Sequence, residues 1–122
     1  MDALIIIIVG FVAFEHIYFM ILEMFYWDKP KGLKAFGMKL EEAKVSKTLA
    51  KNQGLYNGFL AAGLIWAVIN KNSFNEIALF FLTCVTIAGI YGSYTTGQKK
   101  LFIVQSVPAI IGIILILIKQ II

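Results

Sequence analysis

The sequence predicts an all-α integral membrane protein: four transmembrane helices in an antiparallel bundle, with a short amphipathic helix in the first cytoplasmic loop. Three observations predict it. Of the 122 residues, 60% are apolar, more than a water-soluble domain of this size accommodates. The apolar residues gather into four runs, at 4–25, 52–69, 77–94 and 101–118. Each is roughly 18–22 residues, or about 27–33 Å as helix, which matches the hydrocarbon core of a bilayer. The lysines alternate between the connecting segments. Lys29, Lys31, Lys34, Lys39, Lys44, Lys47 and Lys51 fall in the first and Lys99 and Lys100 in the third, against Lys71 in the second and Lys119 near the end.

The first run, "ALIIIIVGFVAFEHIYFMILEMFYW", has no basic segment before it and no small-residue cleavage signal after it. It is expected to be the first span and not a cleaved signal. In hydrocarbon it must be a helix, because an open sheet would leave backbone groups unpaired. In the first loop, "WDKPKG" reads as a turn, with Asp28 and Pro30 suited to it. "GMKLEEAKVSKTLAK" then carries Met38, Val45 and Leu49 on one stripe, which predicts an amphipathic helix leading into the second span. By the positive-inside rule, loops 27–51 and 95–100 are cytoplasmic and both termini lie outside. The expected location is the cell membrane, multi-pass, with the whole chain as one transmembrane domain.

Several classes are disfavoured. A single cysteine, Cys84, excludes an internal disulfide. All eleven cations are lysines, and base readout leans on Arg, so nucleic acid is not an expected partner. No metal and no cofactor are expected. Di-metal bundle sites use Glu-x-x-His spacing, whereas Glu15 and His16 are adjacent. No Gly-rich phosphate loop and no marked nucleophile occur.

The polar residues inside the spans carry the functional signal. At 100° per residue, Glu15, His16 and Glu23 share one sector of about 100°. Span two starts with Asn52, Gln53, Tyr56 and Asn57. Span three carries Thr83, Tyr91, Thr95 and Gln98 within about 120°. Span four carries Gln105 and Ser106, then Pro108, expected to kink the helix. With the topology above, most of these groups collect in the cytoplasmic half. Glu23 lies near the inner end of its span and Glu15 about 12 Å deeper. A carboxylate at that depth needs a partner, a proton or water, and an intramembrane acid points to function by default. Its expected partners are Gln53, Tyr56, Asn57 and Tyr91, since i,i+1 neighbours do not face each other on a helix. Gly54, Gly58 and Ala62, at four-residue spacing, are expected to let helices approach closely. The competing reading of Glu15 and His16 is a buried network that fixes helix packing.

The words "FEHIYFMILEMFYW", "NQGLYNGFLAAGL", "AGIYG" and "QSVPA" resemble the bacterial membrane family catalogued as domain of unknown function 1304. They run from the first span to the fourth. The resemblance implies a small four-pass membrane protein and brings no activity with it.

Three function classes fit. In the first, a polar pocket in the cytoplasmic half binds or acts on a small lipophilic or amphipathic molecule. Glu15 and His16 would be its acid/base pair or anchors, with Glu23, Gln53, Tyr56, Asn57, Tyr91 and Gln105 contacting the ligand. The second is a small proton-coupled transporter, a homo-oligomer using Glu15. The third is an accessory subunit whose polar face docks a partner. Membrane lipids are expected partners in all three.

Overall fold

A computed structural model describes residues 2–122. The described residues form helices joined by short turns, with no strand among them. The first helix, α1 (Ala3–Phe25), starts where the Asp2 carboxylate accepts a hydrogen bond from the Leu4 N–H at 2.9 Å. That satisfies one of the backbone donors a helix leaves open at its first turn. The chain then reverses through a turn closed by the Lys29 N–H on the Tyr26 carbonyl at 3.0 Å.

Pro30 opens α2 (Pro30–Phe36). Its locked φ suits a first helical position, and the N–H it lacks would be unpaired there anyway. The turn is therefore shorter than "WDKPKG" suggested, and Pro30, Lys31 and Gly32 belong to a helix. Gly32 is required by proximity: a Cβ there would run into the Tyr26 carbonyl. Gly37, at φ +60°, ends α2 in the left-handed conformation, with the Met38 N–H returning to the Leu33 carbonyl at 3.1 Å. This six-to-one closure is the Schellman stop.

Next comes α3 (Leu40–Ile69), 30 residues without a break. The Glu42 carboxylate reaches back to the Lys39 N–H at 3.0 Å, half of a capping box. The expected amphipathic helix and the second apolar run are thus one continuous rod. Two contacts tie the reversal to it. Trp27 Nε1 donates to Ser46 Oγ at 3.1 Å, and Lys47 Nζ meets Asp28 Oδ2 at 3.0 Å. Trp27 also packs on Phe36, ring centroids 4.9 Å apart. The Lys47 hydrogen bond holds the Asp28 carboxyl below its ordinary value of 3.8.

A 3₁₀ turn (Lys71–Ser73), where the Asn70 side chain accepts from the Ser73 N–H, leads into α4 (Phe74–Thr96). Gly97, at φ +72°, stops α4. The remaining helix, Lys99–Ile121, is one helix with an irregular start. It consists of α5 (Lys99–Leu101), a π turn (Phe102–Ser106) and α6 (Val107–Ile121). The Val107 N–H bonds the Phe102 carbonyl, five residues back. Pro108 explains the irregularity: its ring would crowd the carbonyl four residues earlier in a regular helix, and a wider turn relieves this.

Three helical segments are long and apolar enough to cross a membrane: Ala3–Phe25, Lys71–Thr96 and Lys99–Ile121. The chain is a multi-pass membrane protein by that measure. The α3 helix is not among the three, because Asn52, Gln53 and Asn57 load the start of its apolar part. Large apolar side chains such as Ile7, Phe14, Phe59, Phe80, Ile87 and Ile103 are exposed. So much exposed apolar surface suits hydrocarbon, not water.

Among the described residues, contacts cluster into two units, residues 14–61 and residues 2–13 with 62–122. In the first, α1 and α3 run antiparallel at close range. Met24 lies over Gly54, and Met20 sulfur over Gly58, so the small residues read from sequence are seats for methionines. In the second, α4 turns Ala78, Leu82, Val85 and Gly89 inward. Leu82 meets Gly112, and Ser106 meets Gly89. Ser106 is fully buried and donates across to the Thr86 carbonyl at 2.9 Å.

Gly89→Ala drives a methyl into Ser106 Oγ and is expected to destabilise the protein by about 1–3 kcal/mol. Gly10→Ala meets nothing within 4 Å and should change stability by no more than about 1 kcal/mol. Thermal unfolding in detergent compares them. The Asp28–Lys47 bond contributes stability fully above the ordinary carboxyl value and loses it as pH falls through the lower, folded value. Trp27 fluorescence in a Trp66→Phe background should therefore report a transition below pH 3.8. Lys47→Met should move that transition upward.

Candidate functional site

The 14–61 unit contains six of the eight residues singled out from sequence. Glu15 and Glu23 are eight residues apart on α1, about 12 Å along the axis. Glu23 is buried, and its Oε1 accepts a hydrogen bond from Asn57 Nδ2 on α3. A buried carboxylate without a donor is costly, and an amide is a donor without a charge of its own. The Glu23–Asn57 bond thus makes the acid tolerable and fixes the register between the two helices. Gly54 makes it geometrically feasible, since a Cβ there would come within 3.0 Å of Glu23 Cβ.

Glu15 differs. It is half-buried, and its Oε1 is shut from solvent with no hydrogen-bond partner among the described residues. None of the four partners expected for it is bonded to it. Asn57 goes to Glu23. Gln53 and Tyr56 are exposed on α3. Asn52 caps its own helix face, donating to the Thr48 carbonyl at 3.0 Å. His16 is 0% exposed, its ring edge-on to Phe19 with centroids 5.5 Å apart. It is a packed core imidazole that a substrate in bulk water does not reach in this conformation.

The other two residues lie in the second unit. Tyr91 is exposed on α4, and Gln105 sits half-buried in the π turn with its Cβ against Gly89. The sector of α4 read as polar from sequence does not face inward. Thr83, Tyr91, Thr95 and Gln98 are all exposed. Thr83 and Thr95 hydroxyls bond carbonyls of their own helix, Leu79 at 2.6 Å and Tyr91 at 3.0 Å. Threonine can satisfy itself this way in an apolar setting, so its presence in a span does not mark a polar face.

Asn57 bonds Glu23 and not Glu15, the acid expected from sequence. Glu23 lies at the end of the first apolar run and Asn57 near the start of the second, so position along the runs alone pairs them. Ser106 is a cross-helix donor, which its polarity alone does not announce. Only its match to Gly89 reveals that. Among the described residues, no group of three or more His, Cys, Asp or Glu side chains is arranged to hold a metal ion.

Comparison with known proteins finds a matching family and a curated relative. The family described as "Protein of unknown function (DUF1304)" matches residues 10–117. The "Uncharacterized protein YpaA" of Lactococcus lactis subsp. lactis (strain IL1403) is 37% identical over 116 residues, covering 93% of this chain and 97% of that protein. No solved structure matches.

Asn57→Leu strands the Glu23 carboxylate and is expected to cost about 1–3 kcal/mol. Adding Glu23→Leu should recover part of that loss, because no buried acid then remains. A double-mutant cycle read by unfolding in detergent measures the coupling; simple additivity would show that the bond contributes nothing.

Proposed function

The chain belongs to the DUF1304 family, and we propose that it is a four-pass membrane protein binding a small lipophilic or amphipathic molecule through Glu15. In this reading α3 supplies the fourth crossing with its apolar second half. The topology puts both termini outside and the lysine-rich segments 27–51 and 95–100 in the cytoplasm. The observation that carries the proposal is the contrast between the two acids of α1. Glu23 is bonded to Asn57, whereas a buried oxygen of Glu15 has no partner among the described residues. A membrane carboxylate left in that state suits a ligand that brings a hydrogen-bond donor or a cation. His16, fully packed against Phe19, is better suited to holding the helix face beside Glu15 than to meeting substrate. Gln53, Tyr56 and Tyr91, being exposed, suit lipid or partner contacts more than a ligand's inner shell.

The same oxygen favours one further reading, proton-coupled transport, because a carboxyl oxygen that no described residue bonds suits exchange of a proton.

Molecules carried through purification in detergent, extracted and identified by mass spectrometry, test the binding reading. Wild type and Glu23→Gln should retain one amphipathic compound at near-equal occupancy, and Glu15→Gln should lose it by at least about tenfold, the loss of one charge-assisted hydrogen bond. Equal retention by Glu15→Gln removes the proposal. Proton flux into proteoliposomes that disappears in Glu15→Gln would instead select transport.

A further inference from the structure

The reversal after α1 borders an open surface groove of about 550 Å³ lined by Phe25, Tyr26, Lys29, Pro30 and Lys31. Its lining is divided by chemistry. Phe25 is the last residue of an apolar helix, and its ring is largely exposed. Tyr26 follows, an amphipathic ring of the type that settles at membrane–water boundaries. Lys29 and Lys31 supply two ammonium groups, the second with Nζ 5.9 Å from the centre of the Tyr26 ring. Pro30 joins them through a rigid φ.

The ion-pairing pattern separates these two lysines from a third. Asp28, the nearest acid in sequence, is bonded to Lys47. Among the described residues, neither Lys29 nor Lys31 has a carboxylate within ion-pair distance. The clamp that spends Asp28 on Lys47 also holds the turn in place, through Trp27 on Ser46 and Phe36. Two cations without a salt-bridge partner among the described residues thus stand at this turn, next to an apolar ring, where the first apolar helix stops.

From this arrangement we propose that the Phe25–Lys31 turn is a binding site for the phosphate headgroup of an anionic membrane lipid. The two ammonium groups would meet the phosphate, and Tyr26 and Phe25 would line the start of the acyl chains. The depth fits, because the end of a spanning helix lies at the headgroup level. The apolar wall distinguishes a lipid from free phosphate, which would gain nothing from Phe25.

The test uses the full chain in nanodiscs containing equal phosphatidylglycerol and phosphatidylcholine, with retained lipid counted by native mass spectrometry. Wild type should retain phosphatidylglycerol in preference to phosphatidylcholine, and added inorganic phosphate should not displace it. Lys29→Gln with Lys31→Gln should weaken retention by about 25-fold, roughly fivefold for each lysine. Lys39→Gln with Lys44→Gln removes the same charge from exposed positions of the same segment and should leave retention unchanged. Equal losses in the two double variants would mean a diffuse basic surface and overturn the site. Equal retention of phosphatidylcholine, or displacement by inorganic phosphate, would overturn the lipid assignment. Should the first double variant fail to fold, a photoactivatable phosphatidylglycerol added to wild type decides. Crosslinks in the peptide 25–31 support the site, and crosslinks confined elsewhere refute it.

Discussion

The hydrogen bond from Asn57 to Glu23 is the interaction on which residues 14–61 depend. An acid in an apolar helix has no water to turn to, so a neighbouring helix must supply the donor. Once Asn57 does so, much else follows. The register of α1 against α3 is set, and Met20 and Met24 fall over Gly58 and Gly54. Dispersion contacts at glycine seats and a single polar bond reinforce each other here, because each is strong only while the other holds the helices close.

The helical class and three of the four apolar runs were legible because they rest on length and apolarity, which are properties of segments. The Ala3–Phe25, Phe74–Thr96 and Lys99–Ile121 helices end within a few residues of the expected limits. What sequence concealed lies at junctions. Pro30 signals a turn and a helix start equally well, and only the space around Gly32 decides between them. The stretch "GMKLEEAKVSKTLAK" reads as a short helix leading into the second apolar run, and α3 carries both as one unbroken helix, since the backbone needs no special residue to carry on.

The site was legible by composition and not by pairing. Glu15, Glu23 and Asn57 were all visible as costly groups in apolar surroundings. A helical wheel gives direction around one axis and says nothing of the neighbouring helix, so it grouped Thr83, Tyr91 and Thr95 as a polar face. The Thr83 and Thr95 hydroxyls had a nearer solution in carbonyls of their own helix. Depth, which the wheel ignores, was the better guide: it places Asn57 level with Glu23.

The π turn at Phe102–Ser106 has a consequence for how this chain varies over generations. A turn closed over five residues holds one more residue than a regular turn. The wide turn absorbs that residue, so removing one residue before Ser106 would restore an ordinary helix and leave what lies beyond nearly in phase. Ala109, Gly112 and Ile116, now buried, would keep their present face, while Pro108 would crowd the carbonyl four residues earlier. A second deletion, with no wide turn left to absorb it, would rotate everything beyond it by about 100°. The stretch therefore has slack for the loss of one residue and none for the loss of two.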